Sequence, residues 1–325
     1  MPSPDTVNFA IRPNKFVERK LIFATLSALD PVFDFPKYRY VGFGAVWFSD
    51  FVLAHQALSI SDMVSLEKDG NLAKRADFNR PYDCIKVRHG DSRLILPTLD
   101  FSDKRILAWL DYDSILNETV LDDLSTLCDN VHNGSVLIVT VNASRENLPT
   151  EDLQGNTLDD WQDRCREHFR VIAPKIELAG LDPRAESQSK YSQLVTDFLL
   201  RCVKRRLRVT PRGLVALKLF DIRYRDGATM VTLGVALVTE ELRNRLLALA
   251  GDSAPPLMPD QPDQFVIDAP PLTFKEKAAL DFLMPTNQSP TVEAVKKQGV
   301  TLKPKQIQAY SRLHRYYPTF GEIVP

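Results

Sequence analysis

The sequence predicts an α/β protein whose sheet is mostly parallel and ends in an antiparallel hairpin. Between positions 40 and 113, short apolar runs recur about every 20–25 residues, and each ends in a glycine or a carboxylate. Helical segments separate these runs, and this alternation is typical of β-α units. Two later strand-like runs flank the dipeptide Asp226-Gly227, which is a strong hairpin signal.

The residues that end the apolar runs are the candidate site residues. In chain order they are Gly42, Phe43 and Gly44 after the first run, Glu67 after the second, Asp91 after the third, and Asp111, Tyr112 and Asp113 after the fourth. Ligands of open parallel sheets lie beyond the carboxyl ends of the strands, so these residues should line one crevice. We therefore expect a nucleotide-like cofactor there.

Helical periodicity and turn residues define the other elements of the α/β part. Apolar residues recur at helical spacing over residues 14–29, and Asp30-Pro31 is expected to end this first helix. Further helices are predicted at 47–58 and 118–128, and a fifth strand at 134–141.

Composition divides the chain into four predicted parts. An N-terminal helical segment spans 1–36, an α/β domain 37–250, a proline-rich linker 251–271 and a helical C-terminal module 272–325. Within the α/β domain, residues 145–210 are polar, charged and helical. We expect them to form an insertion that covers the end of the sheet.

Composition also limits the classes of function. The 325-residue chain has 41 Lys and Arg against 42 Asp and Glu, and a formal net charge of -1, which excludes a strongly basic nucleic-acid binder but leaves room for a local basic groove. The four cysteines are scattered, as expected for buried thiols in a reducing compartment. No apolar run is long enough to span a bilayer, and the N-terminus is unlike a signal peptide. We expect a cytoplasmic protein without a membrane partner.

Five parallel strands followed by a β-hairpin are also the strand inventory of class I S-adenosylmethionine-dependent methyltransferases. Residues 40–238 resemble this Rossmann-like family in the order and spacing of the strand ends. The resemblance implies methyl transfer from S-adenosylmethionine to an oxygen or nitrogen acceptor. We expect no metal at the site.

The resemblance also implies a role for each candidate residue. Gly42, Phe43 and Gly44 would form the turn beside the methionine portion of the cofactor, and Glu67 would hold the ribose hydroxyls. Asp91 would contact the adenine amine. The fourth motif would face the methyl group, with Asp111 touching the cofactor, Asp111 and Asp113 as catalytic residues, and Tyr112 contacting the substrate.

The sequence departs from the family pattern at three points. The turn has two glycines instead of three, with Ala45 near the third position, and Tyr40 stands where an acid usually precedes the glycines. The Asp111-Tyr112-Asp113 motif is neither the Asp-Pro-Pro-Tyr type of amine methylation nor the Pro-Cys type of cytosine methylation. These departures leave the acceptor open.

The basic run Lys204, Arg205 and Arg206 is a candidate contact for a nucleic-acid or nucleotide substrate, because clustered cations pair with phosphates. The alternative is an exposed helix end, where cations are favoured by the helix dipole. A similar choice applies to the cations of the first helix, Arg12, Lys15, Arg19 and Lys20, which either face the site or lie on a solvated face.

A looser similarity connects the chain to methyltransferase-like proteins of bacterial antiviral defence loci. It rests on Arg12-Pro13-Asn14-Lys15 with Glu18-Arg19-Lys20, on Tyr40-Val41-Gly42-Phe43-Gly44 and on Trp109-Leu110-Asp111-Tyr112-Asp113. It implies an alternative function, a non-catalytic methyltransferase-like subunit that binds nucleic acid or a protein partner in a defence complex.

Overall fold

A mixed sheet forms the centre of the computed structural model, which describes residues 12–102, 104–173, 181, 186–210, 212–249, 255–285 and 289–318. The strands are β1 (Arg39–Gly42), β2 (Met63–Glu67), β3 (Ile85–His89), β4 (Ile106–Ile115), β5 (Ser135–Asn142), β6 (Val215–Asp226), β7 (Ala228–Val238) and β8 (Phe265–Val266). In the described residues these eight strands lie in the order β3-β2-β1-β4-β5-β7-β6-β8.

The pairing of the strands confirms the predicted fold class. The strands β1 to β5 are parallel, β7 runs antiparallel between β5 and β6, and β8 pairs parallel to β6. The order of the strands reverses between β1 and β4, so the chain leaves these two strands in opposite directions. Such a switch point opens a crevice at the carboxyl ends of the strands.

Helices cover both faces of the sheet. They are α1 (Pro13–Phe33), α2 (Ser49–Leu58), α3 (Gly70–Phe78), α4 (Ser92–Ile95), α5 (Glu118–Asn130), α6 (Trp161–Ile172), α7 (Gln188–Val209), α8 (Glu240–Leu247), α9 (Phe274–Asp281), α10 (Val292–Lys297) and α11 (Pro304–Leu313). Successive strand residues point to opposite faces, so Tyr40 and Trp109 pack with α1 and α2, while Val41 and Ala108 pack with α5 and α7.

The first helix extends further than the sequence predicted. It passes through Asp30-Pro31 and ends at Phe33, which is fully buried. The backbone N–H of Asp34 still donates to the carbonyl of Asp30 at 2.8 Å, and the Asp30 carboxylate accepts from the N–H of Phe35 at 2.8 Å. These hydrogen bonds and the burial of Phe33 offset the loss of one proline N–H.

The predicted insertion is helical, but the expected cap over the end of the sheet is wrong for its longest helix. The structure places α7 along β6, β7 and α5, with Phe198 and Leu199 fully buried in the core of that face. Its apolar residues recur every three to four positions and bury one side of the helix. Residues 174–180 and 182–185 of the predicted insertion lie outside the described residues.

The region predicted as a linker packs against the domain where it is described. It contributes β8 to the sheet and places Leu257 and Ile267 in the core. The C-terminal helices join the same core through residues such as Tyr310 and Leu313. Residues 251–254 lie outside the described residues, and the division into domains stays a prediction.

The start of α1 is held by the turn of the β6–β7 hairpin. Arg12 precedes the helix and gives no side-chain cap. Instead, the Asp226 carboxylate accepts hydrogen bonds from the backbone N–H of Lys15 at 2.8 Å and from the side-chain amide of Asn14 at 3.0 Å. A carboxylate at this end of a helix satisfies a free N–H and complements the helix dipole. Asp226 therefore positions the first turn of α1.

We predict that Asp226→Ala lowers the free energy of unfolding by about 1–2 kcal/mol, as the loss of a helix cap does. Urea denaturation followed by circular dichroism measures this change. Asp83→Ala is the matched control, since the Asp83 side chain is exposed and its Oδ1 atom lies 4.0 Å from Nη1 of Arg80, too far for a hydrogen bond. Equal unfolding midpoints for the two variants would contradict the capping role.

Candidate functional site

A cleft of about 510 Å³ opens at the carboxyl ends of β1, β2 and β4. Its walls come from the start of α1, from the loops after β1, β2, β3 and β4, and from the β6–β7 hairpin. The structure brings seven of the predicted site residues to this cleft, namely Phe43, Gly44, Glu67, Asp91, Asp111, Tyr112 and Asp113. The predicted convergence of the strand ends is thus observed.

The glycine turn is shaped by close packing. A Cβ atom added to Gly42 would lie 3.0 Å from the Trp109 carbonyl oxygen, and one added to Gly44 would lie 2.6 Å from the Phe48 ring. The buried Gly42 lies under the cleft and is needed for strand packing, whereas Gly44 is in the cleft wall. Ala45 adopts a φ of 44°, a left-handed conformation that usually requires glycine. At position 45 the backbone therefore has the left-handed conformation typical of glycine, although the residue is alanine.

Glu67 and Asp91 hold different positions at the cleft edge. Glu67 is half-buried at the end of β2 and accepts from the backbone N–H of Asp69 at 3.0 Å. Asp91 caps α4 and pairs with Arg93 and Lys68, both at 3.1 Å. The Arg93 hydrogen bond holds the pKa of Asp91 well below its usual range. Asp91 is thus ionised, with part of its hydrogen-bonding capacity already used.

Lys15 reaches the end of β4 from α1. Its ammonium lies 2.7 Å from Oδ2 of Asp111 and 2.9 Å from Oε2 of Glu18. The same ammonium lies over the rings of Trp109 and Tyr224, at 5.3 and 5.5 Å from their centroids. Buried charges require such partners because desolvation is costly. The cation of α1 therefore fixes the orientation of the Asp111 carboxylate in the cleft.

Glu18 connects this ion pair to the interior of the sheet. Burial raises the pKa of its carboxyl group, and the Lys15 charge opposes the rise. Glu18 accepts a hydrogen bond from the Thr232 hydroxyl. The Thr232 hydroxyl is in turn 2.8 Å from the Thr140 hydroxyl, and Thr140 accepts a hydrogen bond from the Trp109 indole N–H at 3.0 Å. These hydrogen bonds connect the Lys15–Glu18 ion pair to the strands β7, β5 and β4.

A second buried carboxylate, Asp50, lies beside the glycine turn. It belongs to the first turn of α2 and accepts from the Tyr40 hydroxyl at 2.6 Å. Burial raises the pKa of Asp50, and the nearby Arg19 charge opposes the rise. Asp50 lines the cleft, so an acid is present near the turn although the position of the usual strand-end acid is taken by Tyr40.

Tyr112 forms a supported wall of the cleft. Its hydroxyl donates to Asp123 at 2.5 Å, and Ser92 donates to the same carboxylate oxygen, also at 2.5 Å. Its ring meets Phe43 edge-on, with the centroids 5.0 Å apart. Asp113 lies at the exposed rim, and Asn117, not Asp113, caps the following helix α5. Asp111 is therefore the deeper of the two predicted catalytic carboxylates.

The basic run is not part of this cleft. Arg206 makes a two-pronged ion pair with Asp129 at the end of α5, and Arg212 donates to the carbonyl of Val131 at 2.9 Å. These contacts place Lys204, Arg205 and Arg206 at the amino edge of the sheet, opposite the cleft. The prediction that they contact the substrate therefore finds no support in the site geometry.

Neither a metal cluster nor a membrane-spanning helix is found in the described part of the chain. No group of three or more His, Cys, Asp or Glu side chains there is arranged to hold a metal ion. None of the described helices is both long and apolar enough to cross a bilayer.

Comparison with protein families decides the class of this site. The model of a family described as "Putative O-methyltransferase" matches residues 7–325. The chain belongs to this family. The resemblance to class I methyltransferases is thereby confirmed at the level of the family. A search of curated proteins found no match.

Several solved structures are similar at low identity. TYW2 of P. horikoshii, in complex with MeSAdo, is 13% identical with a TM-score of 0.39, and the match covers 72% of this chain and 66% of that one. Trm1 of Pyrococcus horikoshii, in complex with S-adenosyl-L-methionine, is 10% identical with a TM-score of 0.44, and the match covers 76% and 59%. The O-methyltransferase TomG of Streptomyces achromogenes is 15% identical with a TM-score of 0.37, covering 66% and 79%. The chain thus spans less than two thirds of each of the two P. horikoshii proteins.

We predict effects of different size for two substitutions in the glycine turn. Gly44→Ala should lower the free energy of unfolding by about 1–3 kcal/mol, because the new methyl group collides with the buried Phe48 ring. Ala45→Gly should change it by less than about 1 kcal/mol, because relief at positive φ is offset by added freedom of the unfolded chain. Urea denaturation measures both, and an equal loss in the two variants would contradict this description of the turn.

Proposed function

We propose that the protein transfers the methyl group of S-adenosylmethionine to a hydroxyl oxygen of a small acceptor, with Asp111 as the catalytic carboxylate. The ion pair between Lys15 and Asp111 at the carboxyl end of β4 carries this proposal. Its support comes from the geometry of the cleft and from the description of the family as O-methyltransferases.

The residues of the cleft fit the cofactor. Glu67 lies at the end of β2, where one carboxylate can accept from two vicinal hydroxyls of a ribose. Phe43 and Gly44 form the turn at the end of β1, and Asp91 lies at the end of β3. When bound, S-adenosylmethionine supplies an electrophilic methyl group on its sulfonium.

Asp111 is placed to orient the acceptor and to take its proton. Lys15 binds Oδ2 of Asp111, which leaves Oδ1 for the hydroxyl of the acceptor. A carboxylate at hydrogen-bond distance from a hydroxyl raises the nucleophilicity of the oxygen as the proton moves. Methyl transfer is an in-line displacement, in which the acceptor oxygen must lie opposite the sulfur across the methyl carbon. Lys15, itself held by Glu18, fixes the orientation of Asp111, and Asp111 would in turn hold the acceptor oxygen in this line.

The shape and charge of the cleft favour a small acceptor over a nucleic acid. Aromatic and apolar side chains, among them Trp47, Tyr224 and Met230, form part of the cleft wall. The densest cationic run of the chain lies at the opposite edge of the sheet and is partly neutralised by Asp129. A nucleic-acid substrate would need its phosphate contacts on the cleft side. There, Lys15 is already paired with Glu18 and Asp111, and Lys68 with Asp91.

The direct test is methyl transfer from S-adenosylmethionine with a labelled methyl group to pools of phenols, aliphatic hydroxyl compounds, amines and RNA. We expect incorporation with one of the hydroxyl pools. Incorporation only into amines or RNA would contradict the proposed acceptor, and no incorporation with any pool would contradict the catalytic proposal.

Asp111→Asn should reduce the turnover of the identified acceptor by about 100- to 10,000-fold, the range for loss of a general base. Binding of S-adenosylhomocysteine should persist, because the amide keeps the shape of the side chain. Asp122→Asn, on the exposed side of α5, is the matched control and should turn over normally. Unchanged turnover in Asp111→Asn would exclude Asp111 as the catalytic carboxylate.

Glu67→Gln should weaken the binding of S-adenosylhomocysteine about tenfold or more, because a charged acceptor for the ribose hydroxyls is lost. Isothermal titration measures the dissociation constant. Asp77→Asn, an exposed carboxylate of α3, provides the control. Equal affinity in the two variants would place the ribose elsewhere.

A further inference from the structure

The guanidinium group of Arg19 lines the cleft with unused hydrogen-bond donors. Its Nε and Nη1 atoms are buried, yet no described residue accepts a hydrogen bond from either. No ion pair of Arg19 occurs within the described ranges. A buried donor without a partner is costly, so these atoms indicate a ligand that supplies the acceptors.

Asp50 presents the opposite charge in the same part of the cleft. Its carboxylate already accepts from Tyr40, and an added Cβ at Gly42 would lie 3.4 Å from its Oδ2 atom. The carboxylate is therefore in direct reach of the glycine turn. Arg19 is close enough to act on the ionisation of Asp50, although the two do not form an ion pair.

A neighbouring cation and anion that do not pair with each other suit a zwitterion. An α-amino acid carries a carboxylate, which arginine binds through several N–H groups, and an ammonium, which a carboxylate binds. We infer that Arg19 and Asp50 bind the amino-acid end of S-adenosylmethionine, with Arg19 on its carboxylate and Asp50 on its ammonium. This assignment rests on the proposed function.

The position of the pair agrees with this assignment. Both side chains line the same cleft as Gly44 and Ala45, whose turn is expected to lie beside the methionine portion of the cofactor. The cation comes from α1 and the acid from α2, so neither belongs to the strand-end motifs. Asp50 supplies the carboxylate that Tyr40 does not.

The test compares two ligands that differ in the amino-acid end. S-adenosylhomocysteine carries it, whereas 5′-methylthioadenosine has the same adenosine and sulfur without carboxylate or ammonium. By isothermal titration, Arg19→Gln and Asp50→Asn should each weaken S-adenosylhomocysteine binding by roughly 10- to 100-fold, the effect of a lost charged hydrogen bond. The affinity for 5′-methylthioadenosine should stay unchanged.

Lys20→Gln is the matched control, since it removes a cation from the next position of α1, where Lys20 lies 4.6 Å from the Phe16 ring centroid. It should leave both affinities unchanged. Retained 5′-methylthioadenosine binding also shows that each variant is folded. An equal loss for both ligands, or for neither, in the Arg19 and Asp50 variants would overturn the assignment. If the unaltered protein binds neither ligand, the proposed function itself fails.

Discussion

The burial of Lys15 is the constraint on which the site depends. A buried ammonium needs negative partners, and the chain supplies them from two different elements, Asp111 on β4 and Glu18 one turn along α1. The backbone N–H of the same residue is held by Asp226 in the β6–β7 turn. One residue therefore joins the first helix, the central strand and the terminal hairpin, and it closes one side of the cleft.

The rest of the site follows from the strand order. The reversal between β1 and β4 opens a crevice, and the loops beyond β2 and β3 bring Glu67 and Asp91 to its edge. The first helix then adds cations to a crevice that the strand ends make acidic. The result is a cleft with alternating charge, which suits a ligand that carries hydroxyls, an amino acid and a sulfonium.

Residues that end strands were predictable because their spacing along the chain reports the β-α repeat. Glu67, Asp91 and Asp111 were found in this way. Asp50 and Arg19 were harder, since they lie on helices and reach the cleft only through tertiary packing. The second partner of Lys15 was equally hidden, because Glu18 looks like an ordinary helix-surface acid when only the sequence is considered.

The position of the basic run was also hard to predict. Lys204, Arg205 and Arg206 cluster strongly in the sequence, but clustering does not report which edge of the sheet a helix end occupies. The topology does report it. Helix α7 leads into β6, so its C-terminal end lies where β6 begins, next to Asp129 at the end of α5. Similarly, Pro31 was expected to end α1, but the burial of Phe33 outweighs one missing N–H.

The most direct measurement is a crystal structure of the protein with S-adenosylhomocysteine. It should show the ribose hydroxyls on Glu67 and the sulfur facing Asp111, with the ion pair between Asp111 and Lys15 intact. A ligand bound outside this cleft, or a sulfur that faces away from Asp111, would contradict the central claim.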